Sequence, residues 1–248
     1  MKIFEYEMKI ILAKSYVFAM TVITLLYAWF LLSSETILGV SDTAPFSGWS
    51  FGKYLGDTTL LSMLAAFFLM ANVYSKKQKK VEILTDVTGF SVKRRMLIKS
   101  IIIGGYFLLL NLLLLVLGCV FLRVYFGKAS FSIYFVEYLL IEIPCLFVIL
   151  GVGNCLGRVN QVLVYVFMVV ILVLAFVMPE LSIDTNGANY YREMSAALET
   201  VNGGETPFVL KSSYLLSRGV YLIIGVVAWM ISMNHTDKKR MVSDVVNN

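Results

Sequence analysis

His235 is the only histidine in the chain, and that alone removes most acid–base chemistry. It lies in MNHTDKKR, so neither an H-E-x-x-H metal helix nor a Ser–His hydrolase can be assembled. Glu137 and Glu142 are five residues apart, which puts them on different faces of a helix rather than in a matched acid/base pair. No G-x-x-x-x-G-K-[ST] segment occurs, so nucleotide phosphates have no Walker loop to sit in. Cys119, Cys145 and Cys155 fall in apolar runs without metal-ligand spacing and read as small packing residues. Asn234-His-Thr matches a glycosylation sequon but falls on the cytoplasmic side of the topology derived below, where it is a chance match. No catalytic or metal-ligating residue is expected, and the chain does not read as an enzyme.

The residues that could do work are polar ones inside apolar stretches. A charge within a membrane helix costs about 2.5–3.5 kcal/mol by insertion and is kept for a purpose. Glu142, in YLLIEIPCLF, lies about three turns into its segment, with Pro144 weakening the helix just beyond. Arg218 enters from the same side, about a turn into the last apolar stretch. A Glu142–Arg218 pair, or Glu137–Arg218 nearer the surface, would lower the cost of both charges; independent snorkelling to the interface is the alternative. Asn111, in LLLNLLLL, is placed to hydrogen-bond a neighbouring helix or subunit. Gly151, Gly153 and Gly157 allow close helix approach.

The elements that must position these groups follow from composition. Of 248 residues, 59% are hydrophobic and 15% charged, against roughly 45–50% and 25% in a soluble domain. A water-soluble enzyme, a disordered chain and a disulfide scaffold are excluded. Six stretches approach the roughly 20 apolar residues that cross a bilayer: 16–32, 58–74, 100–122, 138–156, 162–178 and 215–233. Their continuous runs lack barrel-strand alternation, so the fold class is all-α and polytopic, one transmembrane domain over residues 1–248. Segments 1–15, 75–99, 157–161 and 234–248 hold 15 Lys plus Arg, whereas 33–57, 123–137 and 179–214 hold five. By the positive-inside rule both termini are cytoplasmic. The net charge of +5 is therefore a matter of topology, and nucleic acid is not an expected partner. Lys2 and Lys9 before an apolar run resemble a signal peptide, but no small-x-small site follows Leu32, and the first span is expected to be retained.

Three segments are more than turns. Residues 1–15 place Ile3, Phe4, Met8, Ile11 and Leu12 on one arc opposite Lys2, Glu5 and Lys9, with Glu7 intruding; this is an interfacial helix or a frayed start to the first span. Residues 75–99 exceed the 2–8 residues common between bundled helices. They open with Lys76, Lys77, Lys79 and Lys80, suited to anionic headgroups. One or two helical turns around Val81–Val87 follow, ended by Thr88 and Gly89. Lys93, Arg94 and Arg95 then oppose the dipole of the next helix, with Lys99 close behind, so lipid phosphates or an acidic partner explain them better than helix stability. The acidic segment 179–214 supports one helix from about Asn189 to Gly203, lying across a pathway or solvated as an ectoloop.

This organisation resembles the membrane subunit of type-2 ABC exporters: an N-terminal elbow helix, six spans, a long basic loop between the second and third, and a large outer segment between the fifth and sixth. The loop KKVEILTDVTGFSVKRRMLIKS carries the most specific likeness. The resemblance implies that Glu82, Ile83, Leu84, Thr85, Asp86 and Val87 form a coupling helix seated in a cytoplasmic ATPase subunit. Lys93, Arg94, Arg95 and Lys99 would be its membrane-surface flank. It implies a second permease subunit, identical or homologous, no cofactor in this chain, and ATP and Mg bound by the partner ATPase. The chain's size and short outer loops are similar to bacterial exporters of amphipathic or antimicrobial peptides, including the phenol-soluble-modulin type, in the cell membrane. Its 17 Phe, 14 Tyr and 12 Met could offer an adaptable apolar wall, although lipid-facing packing accounts for most of them. The competing readings are a secondary transporter or channel, which needs deep ionisable residues, and a non-transporting membrane scaffold.

Overall fold

A computed structural model of the chain describes residues 2–35, 48–76, 78, 92–127, 131–176, 184–187 and 212–246. Among them the regular structure is wholly helical. The α-helices are α1 (Lys2–Leu12), α2 (Ser15–Phe30, continued by a π turn over Leu31–Glu35), α3 (Gly48–Val73), α4 (Val92–Phe126), α5 (Phe131–Val159), α6 (Gln161–Phe176) and α7 (Ser212–Val246). Five stretches are long and apolar enough to cross a membrane: Ser15–Ser34, Phe51–Val73, Lys93–Phe126, Tyr134–Val159 and Ser212–Asn234. The remaining expected span, 162–178, is represented by α6, an apolar helix of 16 residues. At about 1.5 Å per residue it is about 24 Å long, short of a hydrocarbon core of about 30 Å.

The chain turns a corner between α1 and α2. Lys14 is extended, with φ −120° and ψ 139° and no side-chain cap, so the helical ladder breaks and restarts. Glu7 and Ile11, one turn apart, are the buried residues of α1, while Ile3, Phe4, Tyr6 and Met8 are exposed. The residue that interrupts the amphipathic arc is therefore the one turned inward, and α1 packs on α4.

α3 is the centre of the bundle and touches α2, α4, α5 and α6. Of its crossing stretch 83% is buried, against 28% for that of α2 and 17% for that of α7. It is also the least apolar of the five. The two facts have one cause: a helix surrounded by protein can carry Thr58, Thr59 and Ser62, all fully buried, because neighbouring helices supply their hydrogen bonds. Lipid-facing helices have no such supply, and the outward faces of α4 and α7 are lined by Ile101, Leu109, Leu113, Leu216, Val220 and Ile223.

α5 and α7 approach at backbone contact. A Cβ on Gly151 would overlap the Gly225 carbonyl, and one on Gly225 would lie 2.5 Å from the Phe147 carbonyl carbon. A Cβ on Gly157 would overlap the Tyr74 ring, and one on Gly153 would press on Met70. The two ends of the bundle differ. Tyr74, Ser100 and Asn154 meet at one end, where the starting turns of α4 bring their cations. Phe51 stacks on Tyr134 at the other, ring centroids 4.1 Å apart, beside Gly118.

Candidate functional site

Four of the buried charged residues, Glu137, Glu142, Asp184 and Arg218, lie toward this second end, while Glu7, Arg95 and Lys99 are buried elsewhere. α3 presents Thr59, whose hydroxyl lies 2.5 Å from Glu142 Oε1 on α5 and 2.6 Å from the Leu55 carbonyl. A hydroxyl has one proton to give, so the two acceptors compete for it. Glu142 is fully buried, and its Oε2 has no hydrogen-bond partner. Three residues further along α3, Ser62 donates to Asn111 Oδ1 at 2.9 Å. The Asn111 amide in turn donates to the Phe107 carbonyl at 3.0 Å. Asn111 thus ties α4 to α3 as a satisfied polar pair.

Arg218, on α7, is 3% exposed and makes its ion pair with Asp184, where the sequence points to Glu142 or Glu137. The reason is positional. Thr59 takes up one Glu142 oxygen, while residues 184–187 fold inward and bring a carboxylate to Arg218. Nη2 of Arg218 also donates to the Asp184 backbone carbonyl at 2.6 Å. The guanidinium carbon stands 5.2 Å from the Tyr214 ring and 5.3 Å from the Tyr221 ring, within cation–π range. Its Nε and Nη1 make no hydrogen bond. Glu142, Cys145 and Tyr214 all lie within electrostatic reach of this guanidinium.

The segment 184–187 (Asp-Thr-Asn-Gly) is held at every residue. Asp184 Oδ1 accepts the Gly187 N–H at 2.8 Å, closing a turn. The Thr185 carbonyl accepts from Cys145 Sγ at 3.2 Å, and the Asn186 amide donates to the Gly56 carbonyl at 3.0 Å. Gly187 has φ +87°, a left-handed conformation that side chains disfavour. A Cβ there would also lie 2.8 Å from Ile141 Cγ2. Asp184 and Asn186 are buried.

The other residues singled out from sequence are placed as follows. Glu137 is buried. Lys76 is exposed at the opposite end. Of the cations opening α4, Arg94 is exposed and Lys93 half-buried, whereas Arg95 and Lys99 are 5% and 4% exposed. The flank thus turns partly into the protein. Lys77, Lys79, Lys80, the segment Glu82–Val87 and the helix expected from 189 to 203 lie outside the described residues. Sequence reasoning missed Asp184, Thr59 and the inward fold of 184–187. Asp-Thr-Asn-Gly is a recognisable turn signal, but nothing in it says that the turn enters a helical bundle.

Among the described residues no group of three or more His, Cys, Asp or Glu side chains could hold a metal. The arrangement can hold opposite charges in a buried interior and tie α3, α5 and α7 to one inward loop. Helices of this length and composition define a multi-pass helical membrane protein. No protein-family model, no curated protein and no solved structure matches the chain.

Proposed function

We propose that this chain is the permease subunit of an ATP-driven exporter of the type-2 ABC kind. A second permease subunit completes the pathway, and separate ATPase subunits bind ATP and Mg and dock on residues 75–99. The substrate is an amphipathic peptide or similarly apolar molecule, and the setting is a bacterial cell membrane. In this reading α6 supplies a sixth crossing, both termini are cytoplasmic, and α1 is an elbow lying in the membrane interface.

One observation carries the proposal. The basic connection 75–99 joins α3, the most enclosed crossing helix, to α4, the longest crossing stretch, and these two helices bear Thr59, Ser62 and Asn111. Force applied to that connection acts on the middle of the bundle rather than on its rim, which is what a motor docked there requires. The test is purification of the full chain from its native membrane. A stoichiometric Walker-type ATPase should accompany it, and L84A together with D86A should abolish the chain's effect on ATP hydrolysis. Substrate movement by the chain alone, down an ion gradient, would overturn the reading.

A fully buried Glu142 with one free oxygen favours a second reading, secondary transport coupled to an ion. It predicts gradient-driven uptake or efflux with no ATPase present, abolished by E142A.

A further inference from the structure

We infer that residues 184–187 are a releasable latch closing the bundle over a buried polar centre formed by Glu142, Thr59, Arg218 and Cys145. The part the latch plays in a transport cycle rests on the exporter reading; its existence does not.

The attachment is specific. Four consecutive residues engage three helices: Asp184 with Arg218 on α7, Thr185 with Cys145 on α5, Asn186 with Gly56 on α3, and Gly187 over Ile141 on α5. No other described segment outside the helices is buried in this way. Three of these contacts use hydrogen-bonding groups, not apolar side chains, so water can replace them on opening. A plug of leucine or phenylalanine would instead expose apolar surface when it left.

The closed form is also incompletely satisfied. Glu142 Oε2 and Arg218 Nε and Nη1 are buried without hydrogen-bond partners, and each such group costs about 1–3 kcal/mol, more where charged. Opening would hydrate all three. The closed state thus gains from the ion pair and loses to the orphaned atoms, which narrows its advantage over an open one. Few buried polar atoms go without a hydrogen-bond partner in a folded protein, and three of those here belong to the two residues under the latch.

Cys145 is the built-in reporter. It is fully buried with Sγ against the latch, whereas Cys119 and Cys155 are half-buried. With those two replaced by serine, a membrane-impermeant maleimide applied in turn to each face of sealed vesicles should label Cys145 slowly and from one face. D184N and N186A each remove one anchor on a different helix. Each should speed labelling by roughly tenfold or more, the least expected from losing a charged or buried hydrogen bond. Size-exclusion elution and the helical circular dichroism signal confirm that the variants remain folded. Unchanged labelling in both folded variants overturns the latch, as does wild-type Cys145 that labels as fast as a denatured control. Adding Mg-ATP to vesicles holding the intact complex separates the two claims. A wild-type rate that changes with ATP supports both. A rate indifferent to ATP, alongside fast labelling in the variants, removes the exporter reading and keeps the latch.

Discussion

Two polar clusters lie within the same bundle and are built on opposite terms. At the basic end Tyr74 donates to Asn154 Oδ1 at 2.6 Å. The Asn154 amide donates to the Leu150 carbonyl at 2.6 Å and to Ser100 Oγ at 3.2 Å. Every member of this hydrogen-bonded network is neutral, although Arg95 and Lys99 are buried nearby on α4, and the helices there touch through glycines. At the other end, Arg218, Asp184 and Glu142 carry ionisable groups, a non-helical turn is part of the packing, and three polar atoms have no partner. Neutral, satisfied networks among helices rigidify a fold. A buried charge pair next to orphaned polar atoms is sensitive to anything that moves it. On the latch reading, the charged end is the part that opens.

The sharpest way to break this contrast is R218M. It leaves Asp184 buried without its cation, and breaking a buried pair from one side costs about 3–5 kcal/mol. Loss of monodisperse protein on size exclusion and a lowered thermal unfolding midpoint are expected. The double variant D184N/R218M, which removes both charges, should recover most of the loss. A single variant as stable as the parent would show that the ion pair is not buried in the native assembly.

Overpacking the basic end comes next. G151A places a methyl against the Gly225 carbonyl, and G157A places one into the Tyr74 ring. Crowding of this kind costs about 1–3 kcal/mol. G151A should be the worse, because a backbone carbonyl cannot swing aside as a ring can. Thermal unfolding of the two variants, measured side by side, checks the order.

Y74F is milder. It removes one neutral hydrogen bond, worth about 1 kcal/mol, while Asn154 keeps its bonds to Leu150 and Ser100. If Y74F matches R218M in its effect on the unfolding midpoint, the two ends are not built differently and the comparison fails.

What could be foreseen from sequence divides along the same line. The helical class, five of the six expected apolar crossings and the glycine run on α5 were legible because lipid imposes a composition that nothing else resembles. Glu142, Arg218 and Asn111 stood out against apolar neighbours. Thr59 and Ser62 did not, since hydroxyls are common in membrane helices and announce nothing until a partner is known. Asp184 was hidden among the acids of segment 179–214, a solvated stretch by composition. The start of α3 was misjudged for a related reason. GWSFGKYLGD reads as a connection because of its glycines, Lys53 and Asp57, yet α3 begins at Gly48, enclosed by protein rather than lipid. Composition reports the solvent a helix faces, and a helix that faces other helices escapes that signal.

The smallest effect is also the most diagnostic of what surrounds the bundle. Gly105 lies inside α4, and a Cβ built there meets nothing within 4 Å. It borders an apolar groove between α1 and α4 lined by Phe4, Met8, Leu12, Ile101 and Leu109. In an open helix position alanine should gain about 0.5–1 kcal/mol over glycine through chain entropy, so G105A should raise the unfolding midpoint slightly where G151A lowers it. Two glycines on neighbouring helices, changed in the same way, should move stability in opposite directions. If G105A destabilises the purified assembly as G151A does, the groove is filled in the membrane by something that comes as close as Gly225 comes to Gly151. The α4 face would then be a contact surface rather than a lipid-facing one.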